Sequence, residues 1–128
     1  MFEDGSPADF QGQIRSIAAA LGLPYSPDMQ DWGIAQNDPN RMNEFIEFFE
    51  REDSPGWHEY VIYQFVDLIL QSADSALEDH PDACVDAVRG FLDSLHGRGD
   101  QGLRYWMSLR SPGREPWPIV EQLAAWGY

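Results

Sequence analysis

The sequence predicts an all-α fold: a single domain, residues 1–128, with about six helices packed around one long central helix. Three observations carry this. The stretch from Ser54 to Asp79 carries a long run of mostly apolar or small residues from Tyr60 to Leu77, and the polar residues Gln64, Asp67, Gln71, Asp74 and Glu78 recur three or four apart, as one narrow stripe on a helix. Cap-and-proline pairs stand at Ser6-Pro7, Asp38-Pro39 and Ser54-Pro55. No run of useful length alternates apolar and polar residues as a half-buried strand would.

Taken in order, the first helix starts at Ser6-Pro7-Ala8-Asp9, with a cap, a proline just inside it and an acid in the first turn. Phe10, Ile14, Ile17, Ala18 and Leu21 follow helical spacing, Gly22 suits the position just past the end, and Leu23 supplies the apolar residue beyond it. Residues 23–37 hold Pro24, Pro27 and Gly33 without sustained periodicity, and read as a long loop. Its Tyr25, Met29, Trp32 and Ile34 suit a wrap packed onto the core. Asp38-Pro39 opens the second helix. Met42, Phe45, Ile46 and Phe49 form its apolar face, while Glu44, Glu47 and Glu50 lie away from it, with Arg41 and Arg51 in reach for pairs.

The central helix is expected to start at Ser54, with Pro55 in its first turn. Phe65, Val66 and Ile69 fall on its apolar surface, which is wide enough to need neighbours on several sides. His80-Pro81 breaks the chain. Asp82 is expected in the first turn of the next helix, whose Val85, Val88, Leu92 and Leu95 face inward while Asp82, Asp86, Arg89 and Asp93 face out. Gly97-Arg98-Gly99 ends it. A short helix from about Gln101 to Leu109 carries Leu103, Trp106 and Met107. Ser111-Pro112-Gly113-Arg114 is a turn, and Pro118 opens a last helix with Ile119, Leu123 and Trp126 on one side.

Composition narrows the function. The chain has 22 acidic and 8 basic residues, a net charge of −14. All the basic residues are Arg. Such a charge argues against nucleic acid or an anionic membrane and favours a basic partner. A single cysteine, Cys84, allows no intrachain disulfide, which fits a reducing compartment. The start, Met1-Phe2-Glu3-Asp4-Gly5, lacks the basic and apolar regions of a signal peptide, so a cytoplasmic protein is expected.

Catalytic and metal motifs are missing. His58, His80 and His96 stand singly, with no second ligand at a familiar metal spacing, and Cys84 shares a helix with apolar neighbours. No Gly-rich phosphate loop or nucleophile elbow occurs, and the absence of lysine removes several mechanisms. The expectation is a protein that is not an enzyme and holds no cofactor and no metal.

Two groups of acids remain as candidate partner-binding residues. Glu44, Glu47 and Glu50, with Glu52 and Asp53, lie around the end of the second helix, where Arg41 and Arg51 offset part of the charge. Asp74, Glu78, Asp79, Asp82 and Asp86 gather around the end of the central helix, with Arg89 the nearest base. Like charge at a helix C-terminus is unfavourable by repulsion and by dipole, so stability alone does not choose it.

Several segments in order resemble a known family: Asp31-Trp32, then Asp38-Pro39-Asn40-Arg41 with Glu44-Phe45 and Phe49-Glu50. They are followed by Leu68 to Leu77 in the central helix, Tyr105-Trp106, and Pro116-Trp117-Pro118-Ile119. Across residues 28–119 this is similar to the small acidic helical immunity proteins that bacteria encode beside polymorphic toxins of contact-dependent or type VI secretion. The chain departs from that pattern in having few acids between Trp106 and Ile119. The resemblance implies a monomer or homodimer that binds and blocks a cognate, basic toxin in the cytoplasm, without catalysis. The alternatives are an acidic interaction domain or nucleic-acid mimic with another basic partner, and a small enzyme.

Overall fold

A computed structural model describes residues 7–26, 32–52, 57–82, 85–95, 100–109 and 117–128. The fold is all-α, with no strand among the described residues. The order is α1 (Pro7–Leu21), α2 (Trp32–Ala35), a 3₁₀ turn (Pro39–Arg41), α3 (Met42–Glu52), α4 (Glu59–Asp79), α5 (Asp86–Ser94), α6 (Asp100–Ser108) and α7 (Pro118–Ala125). α4 is the longest, and every other element packs against it.

α1 buries Ile14, Ile17, Ala18 and Leu21 on one stripe. Its end has the two bonds of a Schellman motif: Leu23 N–H donates to Ala18 O at 2.8 Å and Gly22 N–H to Ala19 O at 3.3 Å. Gly22 sits at φ 69°, a left-handed conformation that costs glycine little. Ser6 lies outside the described residues.

The segment 23–37, expected to be a loop, contains α2. Trp32 is buried and its Nε1–H donates to Pro24 O at 2.8 Å, folding the segment back on itself. Gly33 is what lets α2 reach α4. A Cβ there would lie 2.0 Å from the Gln64 carbonyl oxygen, so only a residue without a side chain fits.

Asp38 caps the 3₁₀ turn as its sequence predicts, accepting from Asn40 N–H at 2.9 Å. α3 then buries Met42, Phe45, Ile46 and Phe49, and also Phe48. The apolar arc is one residue wider than the sequence reading because α3 meets both α4 and α5.

α4 starts later than expected. The cap is His58, whose Nδ1 accepts from Tyr60 N–H at 3.0 Å, and the first helical residue is Glu59. Residues 53–56, with the Ser54-Pro55 signal, lie outside the described residues. Trp57 precedes the helix and packs edge-on to Phe49 and Phe65, at centroid distances of 5.2 and 5.6 Å. Phe65, wholly buried, also meets Phe48, Phe49 and Phe91. Edge and offset contacts of this kind add specificity to the area they bury.

α5 begins at Asp86. Asp82, expected in its first turn, lies in the turn that follows α4. Val85, Val88, Leu92 and Leu95 are buried as expected, together with Phe91. α6 contributes Trp106, and α7 contributes Ile119, Val120 and Leu123. Cys84 and His96 lie outside the described residues. Among the described residues no helix is long and apolar enough to cross a membrane.

The polar stripe of α4 is buried at three of its five positions: Gln64, Asp67 and Asp74. Each receives a donor from a different neighbour. Gln64 Oε1 accepts from Gly33 N–H of α2 at 2.9 Å, Asp67 Oδ1 from Trp106 Nε1–H of α6 at 2.9 Å, and Asp74 Oδ1 from Ile119 N–H of α7 at 3.1 Å. Ser72, between them, accepts from Asp38 N–H at 2.9 Å. These bonds matter because a helix start leaves four backbone N–H groups without partners. Trp117, at the N-cap position of α7, makes no side-chain capping bond, so Asp74 supplies the cap from α4.

Candidate functional site

The two acidic groups foreseen from sequence occupy different places and differ in how their charge is answered. Along α3, Glu44, Glu47 and Glu50 are exposed, opposite the buried aromatic face. Arg41 grips Glu44 with both oxygens, Nε to Oε1 at 2.8 Å and a terminal nitrogen to Oε2 at 2.7 Å. The same guanidinium donates to Leu21 O at 2.7 Å, tying the end of α1 to α3. The bond from Arg41 holds the Glu44 carboxyl below its ordinary value. Arg51 pairs with Glu52 at 3.2 Å. Asp53 lies outside the described residues.

Around the end of α4, Glu78, Asp79, Asp82 and Asp86 are exposed, Asp86 at the start of α5. No salt bridge to any of these four is seen among the described residues. Asp74 corrects the sequence reading. Expected as a surface acid facing a partner, it is 0% exposed and lies under the first turn of α7. The stripe that placed it beside Glu78 is real, but α7 covers the stripe at that level.

The environment of Asp74 is unusual for a carboxylate. Oδ1 takes the Ile119 N–H, while Oδ2 is buried and receives no N–H donor among the described residues, its side-chain neighbour being the carboxyl of Glu78. Burial pushes its carboxyl up from an ordinary 3.8 to about 6. The Ile119 N–H opposes this, and Glu78 adds to it, by a side-chain hydrogen bond to the protonated form and by its charge.

Beside this pair runs an open groove of about 460 Å³ between the last turn of α4 and α7. Leu77, Pro81, Pro118 and Ala125 give it apolar walls, and Glu78 and Glu121 place carboxylates on its edge. Pro81 and Pro118 each mark a place where a helix ends or begins, so the groove lies where two helix termini meet. The sequence reading saw both prolines but had no means of bringing them together.

Nothing assembles a metal centre: no group of three or more His, Cys, Asp or Glu is placed to hold an ion among the described residues. His58 serves as a helix cap and His80 is exposed at the end of α4. What the geometry offers chemically is an acidic surface next to a partly apolar recess. No family model matches the chain, and no curated protein and no solved structure matches it.

Proposed function

We propose that the chain is an immunity protein: it binds a cognate bacterial toxin in the cytoplasm and blocks it without any reaction of its own. The toxin is a basic protein, and the inhibitor acts as a monomer or homodimer. The observation that carries this reading is the run of exposed acids Glu78, Asp79, Asp82 and Asp86 from the end of α4 to the start of α5, with Glu78 also lining a partly apolar groove, in a chain of net charge −14. Toxins that act on nucleic acid or nucleotides need positive potential at their active sites, and an acidic face of complementary potential speeds encounter and selects the partner. The order of segments that resembles the immunity proteins supports the same reading.

The test begins with genes beside this one. Each product is expressed with and without the chain; one product is expected to arrest growth alone and to be neutralised in a complex with the chain. Reversing Asp79 and Asp82 to Arg then slows association at low salt, with the circular-dichroism spectrum unchanged. If no neighbouring product binds, the reading is wrong. If reversal at Glu47 and Glu50 slows association and reversal at Asp79 and Asp82 does not, the toxin uses α3 instead.

The second reading, an acidic interaction domain or nucleic-acid mimic, draws on the exposed row Glu44, Glu47 and Glu50 along α3. It predicts binding to several unrelated DNA-binding proteins with similar salt dependence, which a cognate inhibitor does not show.

A further inference from the structure

α7 has no cap of its own. Trp117 at its N-cap position makes no side-chain capping bond and Pro118 carries no N–H, so the Ile119 N–H is answered from another helix, by Asp74 Oδ1 at 3.1 Å. The acceptor is one carboxyl of a pair. Asp74 is wholly buried under α7, and its side-chain neighbour is Glu78, one turn further along α4 and exposed. Two carboxyl groups in hydrogen-bond contact need a proton on one of them, since two bare carboxylates repel and neither has a hydrogen to donate.

We propose that α7 is held by a proton-operated latch: one proton shared by Asp74 and Glu78 seats its first turn on α4, and loss of that proton lets α7 leave α4 while the remaining helices stay folded.

Two influences compete at Asp74. A helix N-terminus favours an anion, so the Ile119 N–H acts to ionise it. Burial and Glu78 act the other way and prevail, pushing the carboxyl up to about 6. Among the described residues no cation pairs with Asp74 or Glu78. Of the elements on this side of α4, α7 brings Glu121, which lines the groove with Glu78, and α2 has no titratable group. Asp38 accepts from its own Asn40 N–H, Arg41 is bound to Glu44, and Arg104 of α6 is exposed. In the seated state Asp74 therefore titrates near 6, and in the released state near the ordinary 3.8. Seating is strongest below 3.8, weakens as pH rises and is weakest above 6.

α7 is also separable. It packs on α4 and α6 through Ile119, Val120 and Leu123, with Trp117 edge-on to Trp106 at 5.8 Å. Beyond it, Tyr128 reaches Asp93 of α5 through one exposed bond. The rings of Phe48, Phe49, Phe65 and Phe91 join α3, α4 and α5 without it, and α6 keeps its own bond from Trp106 to Asp67. Its 8 residues are too few to persist as a helix in water once unseated. Release exposes the three buried side chains and the face of α4 beneath them, a local opening short of global unfolding.

Native-state hydrogen exchange of the full-length chain, read as protection factors at pH 5.0 and 7.5 in low urea, is the test. The Leu123 and Trp126 amides are expected to exchange through an opening of small urea dependence, distinct from that of Phe49 and Leu92. Their protection falls about tenfold from pH 5.0 to 7.5. Asp74→Asn keeps the acceptor and carries its own hydrogen, so it holds α7 closed at pH 7.5 and removes the pH dependence. Glu78→Gln, at an exposed position, also raises α7 protection at pH 7.5. Asp79→Asn, next to the pair and outside it, does neither. The proposal is overturned if α7 and α3 amides open together at every urea concentration, or if Leu123 protection is the same at both pH values. It is equally overturned if α7 in Asp74→Asn stays as labile as in wild type at pH 7.5, or if Asp79→Asn acts as strongly as Glu78→Gln.

Discussion

Asp74→Asn exchanges one proton-binding oxygen for an amide nitrogen with almost no change of volume. The residue is fully buried, keeps an acceptor for the Ile119 N–H, and gains an N–H to direct toward Glu78. The wild-type carboxyl titrates at about 6 in the folded chain against an ordinary 3.8. Between those values the folded state holds a proton that the unfolded state has released, so stability falls as pH rises through the window. Below 3.8 both states are protonated and the penalty vanishes; above 6 it is complete. The gap of roughly two pH units at ~1.4 kcal/mol each sets a ceiling of about 3 kcal/mol, which solvent screening and the sharing of the proton with Glu78 reduce. The Ile119 bond is already inside that figure, because it acts against the rise.

Asparagine has no such penalty. At pH 7.5 the variant should exceed wild type by about 1–3 kcal/mol, an increase in Tm of roughly 3–10 °C for a chain of this length. At pH 4 the two should agree closely. Urea unfolding of both proteins at several pH values, taken as a difference, cancels the titration of every other acid. A difference that does not grow between pH 4 and 7 would refute the reasoning, as would a variant clearly less stable at pH 7.5.

Other expectations follow from single contacts. Gly33→Ala places a methyl against the Gln64 carbonyl, so α2 must lift from α4; a loss of about 3 kcal/mol is expected in urea unfolding, with changed Trp32 fluorescence. Trp106→Phe removes the Nε1–H from Asp67 Oδ1 and some buried volume, and should cost about 2–4 kcal/mol by the same measurement. His58→Ala deletes the acceptor for Tyr60 N–H and should cost about 1 kcal/mol, with the first turn of α4 exchanging amide hydrogens faster.

Sequence patterns reached those parts of the fold where the cause is local. Asp38-Pro39 and Gly22 act within a few residues of themselves, and both behave as their chemistry predicts. Phe91 was missed, although its signal is local: it stands three residues after Val88 and four before Leu95, on the same stripe. The start of α4 was not legible, because Ser54-Pro55 is a strong local signal while an imidazole cap at His58 is an uncommon one. Asp74 shows the deeper limit. Periodicity places it on the stripe with Glu78, but whether a stripe meets water depends on what covers it. The cover here is a helix that begins 44 residues later in the chain. The groove was hidden for the same reason, since its two walls come from opposite ends of that interval.

The polar rungs of α4 also constrain how the chain can change. Gln64 and Asp74 cap two short helices that cannot persist alone in water, and the rungs stand ten residues apart, roughly 15 Å along the axis. One residue inserted between them would move the second rung 1.5 Å and turn it through about 100°. α2 and α7 would then need caps on different faces of the rod, and at most one could keep its place. An insertion of the same size in a connecting segment would disturb neither. The long helix thus works as both ruler and dial, and a change of length is expected to be tolerated only in the segments between helices.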